Sequence, residues 1–236
     1  MGFYYMYSNP YYMIGTILVV IGMIVMLYAQ SKVSSSYNRF SKVANSRNIS
    51  GAQIAREILD SNGMQDVIIQ ETKGVMSDHY NPKDRTVNLS SKVYHDCTIA
   101  SLAIAAHECG HAVQHKEGYQ PLIFRNTILP VCNVGQYLGW IAVFVGLIFS
   151  KPSIAWIGVI AMTGILLFQV ATLPVEFDAS SRALEILQSR YLTGDEYNGA
   201  KSMLSAAAFT YVAAMLATVM SLLRIILMVM GSSNRE

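Results

Sequence analysis

Four runs of the chain are almost stripped of polar residues. Residues 11–29 (YYMIGTILVVIGMIVMLYA), 128–149 and 154–173 carry no charge, and residues 206–230 carry only Arg224. Each approaches or exceeds the ~20 residues that cross the hydrocarbon core of a bilayer as a helix. A single apolar run of this length can be a buried core helix, but four in one small chain predict four transmembrane helices. Arg224 lies near enough to the end of its run to snorkel, or it faces protein.

Between the runs the periodicity changes. In residues 30–127, Ser50 precedes Ile54, Ile58 and Leu59 at helical spacing, and Gly63 is placed to stop that helix. "DVIIQET" reads as a strand. "DHYNPKDRTVNLS" reads as a turn begun by Asn81-Pro82 and a strand over Thr86, Val87, Asn88 and Leu89. A hairpin-like pair is therefore expected, followed by a helix over about 92–116 with Ser90 or Ser91 as its cap. Residues 174–205 form a second polar piece, with a helix expected to begin after Pro174. The fold class predicted is mainly α and membranous: four spans plus a small α+β polar region with a short β element.

Composition agrees. Of 236 residues, 53% are hydrophobic and only 14% charged, against roughly 25% charged in soluble domains. The net charge of +2 makes no case for nucleic acid as a partner. Charge placement is more informative. Lys32, Arg39, Lys42 and Arg47 follow the first run with no acid among them. The positive-inside rule then puts residues 30–127 and 174–205 in the cytosol and both termini outside. No basic stretch precedes the first run, so it is expected to be a retained anchor rather than a signal peptide. The cysteines, Cys97, Cys109 and Cys132, are odd in number and form no C-x-x-C pair, which suits a reducing compartment.

The chemistry concentrates in "AIAAHECGHAVQHKEG". On a helix His107 and His111 are i and i+4 and meet on one face, where two imidazoles can grip one Zn²⁺. Glu108 is rotated round the helix, placed to reach a water on the metal rather than the metal itself. This is the H-E-x-x-H pattern of zinc peptidases. Gly110 allows a close approach of backbone or substrate. Catalytic zinc needs a third protein ligand. His115 is ~12 Å further along the axis, too far to share the ion. The metzincin extension fails, because Gln114 and Glu117 stand where Gly and His are required. His79, on the preceding turn, can line the cleft. The better candidate is Glu176 in "LPVEFDASSRAL", on the same predicted side of the membrane; Asp178 is the fallback, as ligand or as a partner orienting a histidine. Cys109 points away and reads as packing. Tyr80, Arg182, Tyr191 and Tyr211 are candidates to stabilise a transition state, and equally structural.

"SDHYNPKDRTVNLS", "IAAHECGHAVQH" and "LPVEFDASSRAL", in that order between four spans, resemble the YugP-type membrane zinc metallopeptidases. More distantly they are similar to integral-membrane gluzincins such as the heat-shock protease HtpX and the CAAX prenyl endopeptidases. The resemblance covers nearly the whole chain. It implies a zincin-like catalytic region in a multi-pass protein of a prokaryotic plasma membrane. It implies one zinc per chain on His107, His111 and Glu176, with Glu108 as catalytic acid/base. Thr86, Val87, Asn88 and Leu89 would be the edge strand receiving an extended substrate. Gluzincins often place Asp four residues beyond the glutamate ligand; here that slot is Ser180, which leaves Asp178 to compensate. The function expected is endoproteolysis of membrane-associated or misfolded proteins, with a regulatory membrane partner or homo-oligomer left open. The alternative is a membrane adaptor whose structural zinc is closed by Cys97, Cys109 or His79. An intramembrane site-2-type protease is disfavoured, because the apolar run before His107 is too short to be a span.

Overall fold

The computed structural model describes residues 10–233, and the chain ends expected outside the cell lie beyond them. The protein is mainly helical. Its elements are α1 (Pro10–Phe40), α2 (Gly51–Ser61), β1 (Ile68–Thr72), β2 (His79–Asn81), β3 (Thr86–Ser90), α3 (Ser91–His95), α4 (Ile99–Lys116), α5 (Gln120–Ile148), α6 (Pro152–Arg190) and α7 (Gly194–Ser233). Helices α1, α5, α6 and α7 are long and apolar enough to cross a membrane. The chain divides into two compact units. Of the described residues, one holds 10–30, 124–172 and 210–233, the other 31–123 and 173–209.

In the first unit large apolar side chains face outward, among them Met23, Leu27, Phe144 and Ile160. That is how a helix bundle solvated by lipid tails is built, since the hydrocarbon itself takes the apolar surface. Between the helices, small residues set the spacing. A Cβ on Gly146 would lie 2.4 Å from the Ala155 nitrogen, and one on Gly139 would lie 2.9 Å from the Gly158 carbonyl. Helices α5 and α6 therefore touch backbone to backbone.

The second unit has a closed core of Ile54, Ile58, Leu59, Val87, Leu89, Leu102, Ala105, Leu187 and their neighbours. Helix α2 starts with a capping box: Ser50 Oγ accepts from the Gln53 amide while the Gln53 side chain accepts from the Ser50 amide. It ends at Asn62, and Gly63 follows with φ +63°. The sheet order is β1-β3-β2, with β1 parallel and β2 antiparallel to β3.

Three expectations are corrected. The first is the hairpin: the two longer strands run parallel, and the antiparallel partner of β3 is the three-residue β2, too short to signal itself in the sequence. The second is the helix over 92–116, which is broken. Residues 96–98 leave the helix because Ala44 and Thr98 form a β-bridge, and Thr98 Oγ1 then caps α4 by accepting from the Ser101 amide at 3.2 Å. Ser90 occupies the cap position of α3 but makes no side-chain cap bond. The third is Pro174, which does not start a helix but lies inside α6. Proline deletes one intrahelical bond. The turn that follows is anchored by Val175, Ala179, Ala183 and Leu187, all fully buried.

Candidate metal centre

Helix α4 presents His107 and His111 on one face, their rings edge to face at 4.7 Å between centroids. The chain of α6 passes close by because of Gly110. A Cβ there would stand 2.8 Å from the Ala179 carbonyl oxygen, so only glycine lets the helices approach this far. That approach delivers Glu176. Its Oε2 lies 3.4 Å from His107 Nε2 and 3.6 Å from His111 Nε2. Ligand atoms of all three residues fall within 4.8 Å of one another. Zinc bonds of ~2.0–2.1 Å at tetrahedral angles place neighbouring ligand atoms ~3.3–3.4 Å apart. The carboxylate-to-imidazole spacings thus match the edge of a zinc tetrahedron, and two nitrogens with one oxygen are a donor set zinc takes.

The environment prepares the imidazoles. Gln114 is wholly buried. Its Nε2 donates to the Val175 carbonyl and to Asp178 Oδ2, both at 2.8 Å. Both are pure acceptors, so the amide orientation is fixed and Oε1 must face His111 Nδ1, 3.0 Å away. His111 therefore carries its proton on Nδ1 and leaves the Nε2 lone pair toward Glu176 and the metal position. Burial alone would lower the pKa of His111, but the neighbouring carboxylates of Glu176 and Glu108 favour the protonated ring when no metal is bound, and the pKa is raised. For His107 the corresponding partner is Ser180, whose Oγ lies 3.2 Å from Nδ1. Asp178 does not touch a histidine directly. It is held by Arg182 Nε at 2.6 Å, Arg182 also pairs with Glu117 at 2.7 Å, and Asp178 reaches His111 only through Gln114.

Glu108 is buried beside this trio. The Tyr80 amide donates to its Oε2 at 2.9 Å, so strand β2 holds the carboxylate from the opposite side. The Tyr80 hydroxyl meets His115 Nδ1 at 2.8 Å. His79 is exposed, bonded to the Ser77 carbonyl, and stands outside the trio. Cys109 is fully buried with Sγ toward the Ala55 carbonyl, and burial pushes its thiol pKa up. Tyr191 bonds Glu57 instead of the site and, by burial and that carboxylate, is pushed up to about 12. Tyr211 belongs to the other unit.

The substrate strand assigned to Thr86, Val87, Asn88 and Leu89 needs correction. These residues form the central strand β3, with β1 on one side and β2 on the other, and every one is buried. No edge is open there. The edge strand next to Glu108 is β2, and its Tyr80 amide is already taken by that carboxylate. Gln114 and the Tyr80 amide were missed in the sequence; neither carries a signal there, since a lone Gln and a backbone N–H acquire meaning only when α6 and β2 are in place.

Four helices long and apolar enough to cross a membrane, with half-buried His107 and His111 on one helix meeting the buried Glu176 of another, fit a class, the membrane metallohydrolases. The comparisons specify it further. The family model described as "Putative neutral zinc metallopeptidase" matches residues 15–230, and the chain belongs to that family. It is 40% identical over 210 residues to the "Putative membrane protease YugP" of Bacillus subtilis (strain 168), covering 89% of this chain and 93% of that protein. No solved structure matches.

Proposed function

We propose that the protein is a membrane-embedded, zinc-dependent endopeptidase of the gluzincin type, with its site facing the cytosol of a prokaryotic cell. The observation that carries this reading is the convergence of His107, His111 and Glu176 with Glu108 beside them. Zinc bound there supplies a Lewis acid that acidifies water and polarises a carbonyl. The chain's own residues do the rest. Glu108, with Oε2 engaged by the Tyr80 amide, has Oε1 free to take the proton of the attacking water. The same carboxyl then gives that proton to the departing amine nitrogen as the C–N bond breaks. Gln114 and Ser180 hold the two rings. An extended peptide is placed beside β2 and over Glu108, held through groups other than the Tyr80 amide, which Glu108 engages. Membrane-associated or misfolded proteins are the substrate class suited to a site carried by membrane helices.

The test is paired. Zinc content and hydrolysis of casein are measured for detergent-purified wild type and Glu108→Gln. Near one zinc per chain in both, with cleavage reduced by about 10²–10⁴-fold in the variant, is expected from loss of a general base. Zinc in both with equal cleavage would remove Glu108 from the mechanism. Zinc in both with no cleavage by either would favour the adaptor.

A further inference from the structure

The membrane unit contains a cation that the proposed chemistry does not use. Its described residues include Arg125, Lys151 and Arg224 but no Asp or Glu. Among the described residues Arg224 has no ion-pair partner. It is nevertheless seated with care. Helices α1 and α7 cross antiparallel, Gly15 against Arg224 and Gly22 against Ala217. A Cβ on Gly15 would stand 2.9 Å from Arg224 Cγ, so the arginine stem lies where only glycine leaves room. Arg224 then lines a cavity of about 300 Å³ with Val19, Trp140, Val143, Phe144, Leu147 and Ser221. A second cavity of about 430 Å³ shares Trp140, Ser221 and Ile225 with it. Among the lining residues the neutral polar groups are the Ser221 hydroxyl, one turn away on α7, and the Trp140 indole N–H.

We propose that this cavity is a binding site for one anionic phospholipid, with its phosphate on Arg224 and an acyl chain running inward along Val143 and Trp140, Leu147 lying at the mouth. An arginine fork binds phosphate in a bidentate manner. The site lies toward the end of the bundle marked by the α5–α6 turn, where Gly146 meets Ala155, so an arginine there reaches headgroup depth by snorkelling. The apolar walls suit a chain, not a free ion. The absence of carboxylates decides between lipids. The ammonium of a zwitterionic headgroup would find no partner among the described residues, while an anionic lipid neutralises Arg224 without leaving a charge over. This inference rests on the chain being embedded in a membrane, not on its proteolytic chemistry.

The experiment reconstitutes the full-length protein in bilayers of equimolar phosphatidylglycerol and phosphatidylcholine. The protein is re-extracted and retained phospholipid per chain is counted by mass spectrometry. Wild type should keep about one phosphatidylglycerol per chain, enriched about fivefold over phosphatidylcholine, the preference one arginine near the headgroups supplies. Arg224→Gln should abolish the enrichment, Lys151→Gln should keep it, and Leu147→Trp should lower retention with the arginine intact. Equal retention of the two lipids by wild type overturns the proposal. So does unchanged enrichment in Arg224→Gln, or loss of enrichment in Lys151→Gln. Should Arg224→Gln fail to fold, the wild-type ratio and Leu147→Trp still decide. Zinc content and casein cleavage are read separately, so failure here leaves the peptidase reading standing.

Discussion

Replacing the wholly buried Gln114 by Leu, a residue of similar size, removes three polar contacts, one buried and two part-buried. The bonds to the Val175 carbonyl and the His111 ring are neutral and worth ~1 kcal/mol each; the bond to the Asp178 carboxylate is worth ~1.5–3 kcal/mol. The folded protein should lose about 3–5 kcal/mol. The zinc term is separable. Without Gln114 the His111 ring is free to turn and to carry its proton on Nε2, the wrong nitrogen for the metal. Loss of such an orienting partner costs metal affinity 10–100-fold, or about 1.4–2.7 kcal/mol. The assay is zinc affinity in a chelator-buffered titration, beside the thermal midpoint of the metal-free protein. Gln114→Glu supplies the control. Its carboxylate still accepts from His111 Nδ1, so zinc affinity is preserved, while repulsion from Asp178 lowers the midpoint. If Gln114→Leu binds zinc within twofold of wild type while still folded, the tautomer argument is wrong.

Two more outcomes follow from neighbouring residues. Ser180→Asp restores a carboxylate opposite His107 Nδ1 and should tighten zinc about fivefold, since a charged acceptor adds ~1 kcal/mol over a neutral one; Ser180→Ala should weaken it, both by the same titration. Asp78 is a pH-sensitive group of the unit that lies away from the trio. Burial raises its pKa above the usual carboxylate value, although the Ser90 amide and hydroxyl donate to it at 2.6 and 3.1 Å. A carboxyl with a raised folded pKa binds more protons folded than unfolded, so its contribution to stability is largest in acid. That contribution declines from the unfolded pKa of ~3.9 upward to the folded value. Asp78→Asn should flatten this decline in thermal midpoints measured from pH 3.5 to 7; an unchanged slope would exclude Asp78.

The legible parts of this protein are those written in local periodicity. The spacing of His107 and His111 needs only an α-helix to become a ligand pair, and the spans need only their length. Glu176 was reachable by a longer argument, from the want of a third ligand and a shared side of the membrane. What local pattern cannot express is partnership between segments. The strand character of Thr86–Ser90 says nothing of which strands flank it, and β2, three residues long, gives no sign that it covers that side of the middle strand. Gln114 read only as a failed metzincin position. Pro174 read as a boundary because its local cost is visible and the buried turn beyond it is not.

The distance along the chain between the two halves of the site has a temporal meaning. Gln114 and Asp178 are 64 residues apart, and the intervening stretch includes the apolar lengths of α5 and α6. At ~5–20 residues per second, a ribosome needs roughly 3–13 s to pass from one to the other. During that interval the nascent chain displays both histidines and Glu108 but lacks Glu176, the third residue of the proposed site. A chain stalled or cut before Glu176 therefore carries an unfinished site. On the proposed reading the site is complete only when the second of these helices has been made, a delay set by the order of the chain itself.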